Sequence, residues 1–266
     1  MATVISGSQV SPSGYPGPIG GTIFPRGHLK GMRLANNATD AANDIDVSEG
    51  ECRDSANTVN IKLPAGITKR LDAAWAEGTN QGGLDTGAIA NTPYHVFAIR
   101  SATTGVCDVL FSASATAPTL PANYTAFRRI GSIVRIAAAI KQFFQTGNTF
   151  QTFGDQDYSS ASARSLSLLA LSVPTGIRVL PILKVSIAQG ATGTSYVTLA
   201  PGDNNALTVT QAVQANSANG VDCSLVNYLS TNTNAQVYLA VVISSGTILA
   251  ATMLTAGWID RRGQDD

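Results

Sequence analysis

Residues 235–254 read AQVYLAVVISSGTILAATML, two apolar runs separated by Ser244, Ser245 and Gly246. A membrane-spanning helix would need an uninterrupted apolar run of about 18 residues, which the sequence does not contain. Each run is instead short and bounded by turn-forming residues, which is typical of a β-strand. The stretch therefore predicts two strands joined as a hairpin.

The same pattern extends along most of the chain. Short apolar or alternating runs recur between turn signals, which is typical of antiparallel β-proteins. The turn Thr103-Thr104-Gly105 predicts a hairpin between Tyr94–Ser101 and Val106–Ala113. We therefore expect an all-β fold, an antiparallel β-sandwich of the jelly-roll kind. The other predicted strands are His28–Leu34, Asp44–Val47, Thr58–Leu63, Phe127–Ile136, Ala139–Gln145, Thr149–Phe153, Leu166–Val173, Arg178–Ala188, Ser195–Leu199, Ala206–Val213, Cys223–Ser230, Ala235–Ser244 and Thr247–Leu254.

One segment departs from this pattern. In Pro64–Trp75 the apolar residues Ile67, Leu71 and Trp75 recur at every fourth position, with charged residues on the other faces. This spacing predicts one short amphipathic helix, and Gly78 is expected to end it.

The first 26 residues differ in composition from the rest. Residues 1–25 contain no charged side chain and are rich in Ser, Pro and Gly. Such a segment cannot build a core and is expected to be extended when alone. We expect residues 1–26 to form an arm that anchors the chain to another protein, with packing on its own domain as the alternative. Residues 27–266 are expected to form one β-sandwich domain, with any internal boundary near 146–164.

Charge is balanced overall but unevenly distributed. The chain has 17 basic and 17 acidic residues, so no net field draws it to nucleic acid or to an anionic membrane. Between Ser165 and Thr252 only Arg178, Lys184, Asp203 and Asp222 are charged. A free monomer with so few charges would be poorly protected against association. This favours burial in an oligomer, and a surface that relies on Ser, Thr, Asn and Gln is the alternative.

Metal and catalytic signatures are weak. Cys52, Cys107 and Cys223 form no Cys/His cluster, which disfavours zinc and a disulfide framework and favours folding in a reducing compartment. The two histidines, His28 and His95, have no plausible nucleophile near them in sequence. Nucleotide-binding and hydrolase motifs are absent from the sequence. We predict no enzyme, no catalytic, cofactor-binding or metal-binding residue, and no cofactor.

One cluster of acidic residues is a candidate for a metal or catalytic site. It does not follow the spacing of a calcium-binding loop. We interpret it as a solvated or inter-subunit face, and leave open a cation site or a pair of catalytic carboxylates. Its members are Asp40, Asn43, Asp44, Asp46, Glu49, Glu51 and Asp54.

Basic and aromatic side chains point to contacts with other molecules. Arg128, Arg129 and Arg135 lie on a predicted strand, where neighbouring side chains point to opposite faces and form no continuous patch. We expect them to pair across a subunit boundary, for example with Asp44 or Asp46. Aromatic rings could stack on sugars, although most are expected to be buried anchors. These are Tyr15, Trp75, Tyr94, Tyr124, Tyr158, Tyr196, Tyr228 and Trp258.

A group of motifs between Gly31 and Arg135 resembles a recurrent family of phage and prophage virion proteins, and the chain ends with a similar segment. The motifs are RLANN (33–37), NDIDV (43–47), CRDS (52–55), TKRLDAAW (68–75), GGLDTG (82–87), YHVF (94–97), RRIGS (128–132) and the closing GWIDRRG (257–263). The resemblance implies a virion structural protein of a tailed bacteriophage, of the tail-fibre or tail-tip kind. It implies no catalytic residues.

We accordingly expect a symmetric homo-oligomer, with a trimer favoured, that is made in the host cytoplasm and located in the virion. Its arm, residues 1–26, would contact other virion proteins. A head fibre or decoration protein is one alternative. Another is a receptor-binding module that grips host surface glycans through Thr79–Asn91 and Asn216–Asp222. A glycan-degrading enzyme that uses Asp44, Asp46 or Glu49 ranks last.

Overall fold

The computed structural model describes residues 23–206, 210–216, 221–226 and 228–264. All regular structure within these ranges is β-strand, so the prediction of an all-β fold is confirmed. No helix in this part of the chain has the length and apolar character needed to cross a membrane. The strands are β1 Leu29–Gly31, β2 Leu34–Asn36, β3 Asp44–Val47, β4 Gly50–Arg53, β5 Asn60–Leu63, β6 Ile67–Ala74, β7 Gln81–Leu84, β8 Pro93–Ser101, β9 Cys107–Ser112, β10 Tyr124–Ile136, β11 Ala139–Ile140, β12 Phe143–Thr146, β13 Thr149–Ser160, β14 Arg164–Ala170, β15 Leu180–Ala191, β16 Ser195–Ala200, β17 Thr210–Ala215, β18 Val221–Val226, β19 Gln236–Ile243 and β20 Thr247–Ile259.

The first half of the chain builds two sheets. Eight strands form a sheet in the order β11-β10-β8-β9-β7-β6-β3-β2, and β1-β4-β5 form a three-stranded sheet. The predicted hairpin around Thr103-Thr104-Gly105 is confirmed, because β8 and β9 pair in antiparallel fashion from His95↔Ser112 to Arg100↔Cys107. Strand β7 pairs in parallel with both β6 and β9.

The predicted helix in Pro64–Trp75 is wrong, because Ile67–Ala74 is strand β6. Its side chains alternate, with Ile67 and Leu71 buried and Arg70 exposed. A spacing of four residues fits a helical face, but it also fits a strand, since four is a multiple of two. The intervening inward position is Lys69, a charged residue that is fully buried, and its charge concealed the alternation in the sequence.

The second half is a jelly roll. The eight strands from β13 to β20 pair in a nested order, in which the first strand pairs with the last and the innermost two pair with each other. The pairs are β13 with β20, β14 with β19, β15 with β18, and β16 with β17. All four pairings are antiparallel, and they produce two facing sheets, β12-β13-β20-β15-β18 and β14-β19-β16-β17. This nested pairing is the jelly-roll arrangement, so the predicted sandwich is confirmed for this half.

The hairpin predicted in residues 235–254 is wrong, although both of its strands exist. Strand β19 belongs to the four-stranded sheet and β20 to the five-stranded sheet. The turn at Ser244 and Ser245 therefore crosses between the sheets, where both backbone N–H groups donate to the Thr194 carbonyl. Two strands and a turn look the same in sequence whether they pair with each other or with other strands.

One continuous hydrophobic cluster joins the two halves, from Met32 to Trp258. The Phe150 and Trp258 rings stack at 5.4 Å with an interplanar angle of 7°. Gly131 on β10 lies against the Phe150 ring, where a Cβ atom would come within 3.1 Å of Phe150 and 2.7 Å of Leu34. Glycine at this position therefore allows close approach of the two halves.

The end of the predicted arm packs on its own chain. Phe24 is buried, its ring lies 4.3 Å from that of His28, and its backbone N–H donates to Asn60. Residues 1–22 of the predicted arm lie outside the described residues.

Candidate interaction surface

The outward side of the five-stranded sheet is built by strict alternation along its central strands. On β15, Leu183 and Val185 face the core, while Lys184 and Ser186 face outward. Lys184 is the only charged residue in the sequences of β15 and β20. Its cross-strand neighbours are Leu225 on β18 and Leu254 on β20. Lys184 is therefore flanked by two leucines on this side of the sheet.

Large apolar side chains are exposed on this sheet. Phe153 is 91% exposed, Leu225 73%, Phe144 68% and Leu249 64%. We call these four residues, together with Leu254, the outer apolar face. On the opposite, four-stranded sheet, Leu168 is 38% exposed. Several exposed large apolar side chains on one sheet favour an interaction site, whereas single exposed residues need no explanation.

A groove runs beside this face, between the edge strands β2 and β12. Side chains bridge the two edges: Gln145 accepts the Leu34 N–H at 2.7 Å, and Asn36 accepts the Phe143 N–H at 3.0 Å. The groove has one section of about 560 Å³ and an adjoining one of about 400 Å³. Phe144 lines both sections, and Phe153 lines the smaller one.

The acidic cluster is largely occupied in holding turns and strands. Asp40 accepts the Ala42 and Asn43 N–H groups at 3.2 Å, and Asp54 accepts those of Thr58 and Val59 at 2.7 and 2.8 Å. Further along, Asp46 accepts the Asn37 amide and the Thr68 hydroxyl, and Glu51 lies 3.4 Å from both His28 and Lys62. No group of three or more metal-ligating residues forms within the described ranges.

The predicted pairing across a subunit boundary is wrong for Arg129, which pairs within its own chain. Arg129 forms a bidentate pair with Asp260, at 2.6 and 2.9 Å, and Arg128 donates to the carbonyls of Arg262 and Gly263. On the same strand, Arg135 donates to Asn91 at 3.0 Å. The closing GWIDRRG segment folds back on β10, a long-range contact that local sequence does not reveal.

The remaining candidates are mostly structural. Trp258, Tyr94 and Tyr124 are buried, whereas Tyr228 is 55% exposed and Tyr15 lies outside the described residues. The predicted glycan-binding segment Thr79–Asn91 contains strand β7 and is partly buried. Of Asn216–Asp222, residues 217–220 lie outside the described ranges.

Burial raises the pKa of the Cys52 thiol to about 12, which makes it unreactive.

His95 is a buried neutral side chain. Its Nδ1 lies 2.9 Å from the Ser132 hydroxyl, and the ring is 1% exposed. Burial, together with the nearby charge of Arg129, lowers the pKa of His95 from 6.5 to about 4. A hydrogen bond to the Thr175 backbone and the charge of Asp260 act in the opposite direction.

We expect His95 to make the fold sensitive to acid. Between pH 6.5 and 4 the unfolded chain binds a proton at this site and the folded chain does not, so stability falls as pH falls through this window. The loss attributable to His95 is about 2–3 kcal/mol. Chemical denaturation of the wild type and a His95→Asn variant at pH 7 and pH 4.5 measures it. An equal pH dependence in both proteins would contradict the assignment.

Comparisons with known proteins assign the chain to no family. No family model matches the chain, and no curated protein matches it. Among solved structures, one of infectious bursal disease virus, Gt strain, is similar over 94% of this chain and 74% of that chain, with 12% sequence identity and a TM-score of 0.23. Similarity of that size carries no argument about fold or function.

Proposed function

We propose that the chain is a structural protein of a bacteriophage virion, a tail-fibre, tail-tip or spike component that works as one copy in a symmetric homo-oligomer. The outer apolar face is the observation that carries the proposal. The sequence motifs between Gly31 and Arg135, and the jelly-roll arrangement that viral capsid and lectin domains also use, support it. No catalytic step is required.

The magnitudes favour association through this face. Complete burial of one Leu or Phe side chain is worth about 1.5–3 kcal/mol, whereas an exposed ion pair contributes about 0–1 kcal/mol. Covering several members of the outer apolar face therefore offsets part of the entropy lost on association. Lys184 is the one charge on β15 and β20 that such a contact would have to desolvate or pair.

In this proposal the two halves have different roles. The jelly roll supplies the contact between copies, and residues 1–26 attach the oligomer to another virion protein. The chain would be made in the host cytoplasm and located in the particle. A trimer suits a fibre or spike, and a ring would suit a tail tip.

We expect the double variant Phe153→Asp, Leu249→Asp to lose the oligomer. Two buried carboxylates in an apolar contact would carry a large desolvation cost in the assembly and none in the monomer. Size-exclusion chromatography with light scattering measures the mass, and circular dichroism verifies the fold. Leu168→Asp, on the opposite sheet, is the matched control and should retain the wild-type mass. An unchanged mass in the double variant would contradict the proposed contact.

A second candidate is a receptor-binding module for host surface glycans. The smaller groove section places Phe143, Phe144 and Phe153 beside the amides of Gln142 and Gln151. Aromatic rings and amide groups are suitable for stacking on sugars and bonding to their hydroxyls. Glycan-array binding that disappears in Phe153→Ala, with the oligomer intact, would favour this function over a purely architectural one.

A further inference from the structure

A buried lysine and a buried aspartate face each other in the first half of the chain. Lys69 on β6 is 0% exposed, and Asp108 on β9 is 1% exposed. The Trp75 ring lies against the Lys69 ammonium, with its centroid 5.3 Å from Nζ, and Tyr124 packs edge-on against Trp75 at 5.1 Å. The two reactive groups are therefore shielded from water.

The geometry differs from that of a strong ion pair. Lys69 Nζ lies 3.2 Å from Oδ1 and 3.5 Å from Oδ2 of Asp108, whereas charge-assisted N–H···O bonds are about 2.7–2.9 Å long. The shortest contact of Nζ is instead the Ala76 carbonyl, at 2.6 Å. Nζ therefore lies close to both oxygens of the carboxyl group without forming a short, charge-assisted bond to either.

The surroundings favour the reactive protonation states. Burial lowers the pKa of Lys69 and raises that of Asp108, so both shifts are in the direction of the neutral amine and the neutral acid, while the Gly78 N–H bond to Asp108 acts in the opposite direction. A neutral amine is a nucleophile, and a carboxylic acid loses hydroxide far more readily than a carboxylate loses oxide. Transfer of one proton from the ammonium to the carboxylate supplies both forms without an external base.

Backbone groups are placed to assist the reaction. The Gly78 N–H donates to Oδ2 at 2.8 Å, and the Val109 N–H donates to Oδ1 at 2.6 Å. Such donors stabilise the negative oxygen that develops when an amine adds to a carboxyl carbon. The Ala76 and Gly78 carbonyls, which accept from Nζ, can accept the N–H of the resulting amide.

We propose that Lys69 and Asp108 condense to form an intramolecular isopeptide bond. The Nζ lone pair attacks the Asp108 carboxyl carbon, and a C–N bond forms. The C–O bond to one carboxyl oxygen then breaks, and that oxygen leaves as water with its own proton and a proton from the amine. One amine and one acid give one amide and one water, so no oxidant or cofactor is needed.

The bond would join β6 and β9 covalently across β7 in the middle of the eight-stranded sheet. A cross-link of this kind stabilises the fold chiefly by restricting the unfolded chain, as a disulfide does, but it does not depend on redox conditions. It does not depend on the oligomer either, so its test is separate from that of the proposed function.

Mass spectrometry of the denatured full-length protein tests the proposal. We expect a mass lower than that of the unlinked chain by one water molecule, and a tryptic species in which the peptides of Lys69 and Asp108 are joined. A Lys69→Arg variant should lack both features. A Lys62→Arg variant is the matched control, because Lys62 is 62% exposed, and it should keep both. Separate Lys69 and Asp108 peptides in the wild type would overturn the proposal, even if the Lys69→Arg variant fails to fold.

Discussion

Replacement of Asp260 by alanine is expected to lower the free energy of unfolding by about 3–5 kcal/mol. Asp260 is 2% exposed and accepts two hydrogen bonds from Arg129 and one from the Arg262 N–H, at 2.8 Å. Without it, the largely buried Arg129 guanidinium loses its counter-charge at the junction between the two halves. Leaving one partner of a buried pair uncompensated costs far more than losing an exposed pair.

Equilibrium urea denaturation at pH 7 measures this effect. The matched control is Asp203→Ala, because Arg178 and Asp203 also pair at 2.5 Å but are 62% and 44% exposed. An exposed pair contributes about 0–1 kcal/mol, so the control should remain close to the wild type. Equal losses in the two variants would show that the Arg129–Asp260 pair does not hold the closing segment.

Replacement of Trp258 by alanine should lower the free energy of unfolding by about 3–5 kcal/mol. The side chain is 1% exposed and stacks on Phe150, so its removal opens a large cavity where the two halves share their core. Close-packed surroundings relax only partly into such a space.

Thermal and urea denaturation report this loss directly. Tyr228→Ala is the matched control, since Tyr228 is also aromatic but is 55% exposed and is not part of the outer apolar face. It should change stability by less than about 0.5 kcal/mol. A Trp258→Ala protein as stable as the control would contradict the shared core.

The fold class could be predicted from sequence because strand periodicity is a local property. Short apolar runs between turns were sufficient for an all-β fold, and the β8–β9 hairpin followed from its Gly-containing turn. The partner of a strand is not a local property. Strands β19 and β20 are adjacent in sequence but belong to opposite sheets, so the hairpin prediction failed.

Misleading side chains explain the other errors. Lys69 interrupts the apolar alternation of β6 because its burial depends on Asp108, which lies 39 positions further along the chain. Arg129 looked like a surface cation because its partner, Asp260, is 131 positions away.

The outer apolar face could be anticipated only in part. The low charge between Ser165 and Thr252 indicated an unusual surface, but not which sheet carries it. That depends on the pairing of β15, β18 and β20, which brings Lys184, Leu225 and Leu254 into one row.

The solution mass of the intact wild-type chain tests whether the protein forms a symmetric homo-oligomer. Multi-angle light scattering at physiological salt, over a range of protein concentrations, should give a monodisperse multiple of the chain mass of 27.5 kDa, with three copies favoured. A monodisperse species of one chain mass across that range would contradict the proposed oligomer.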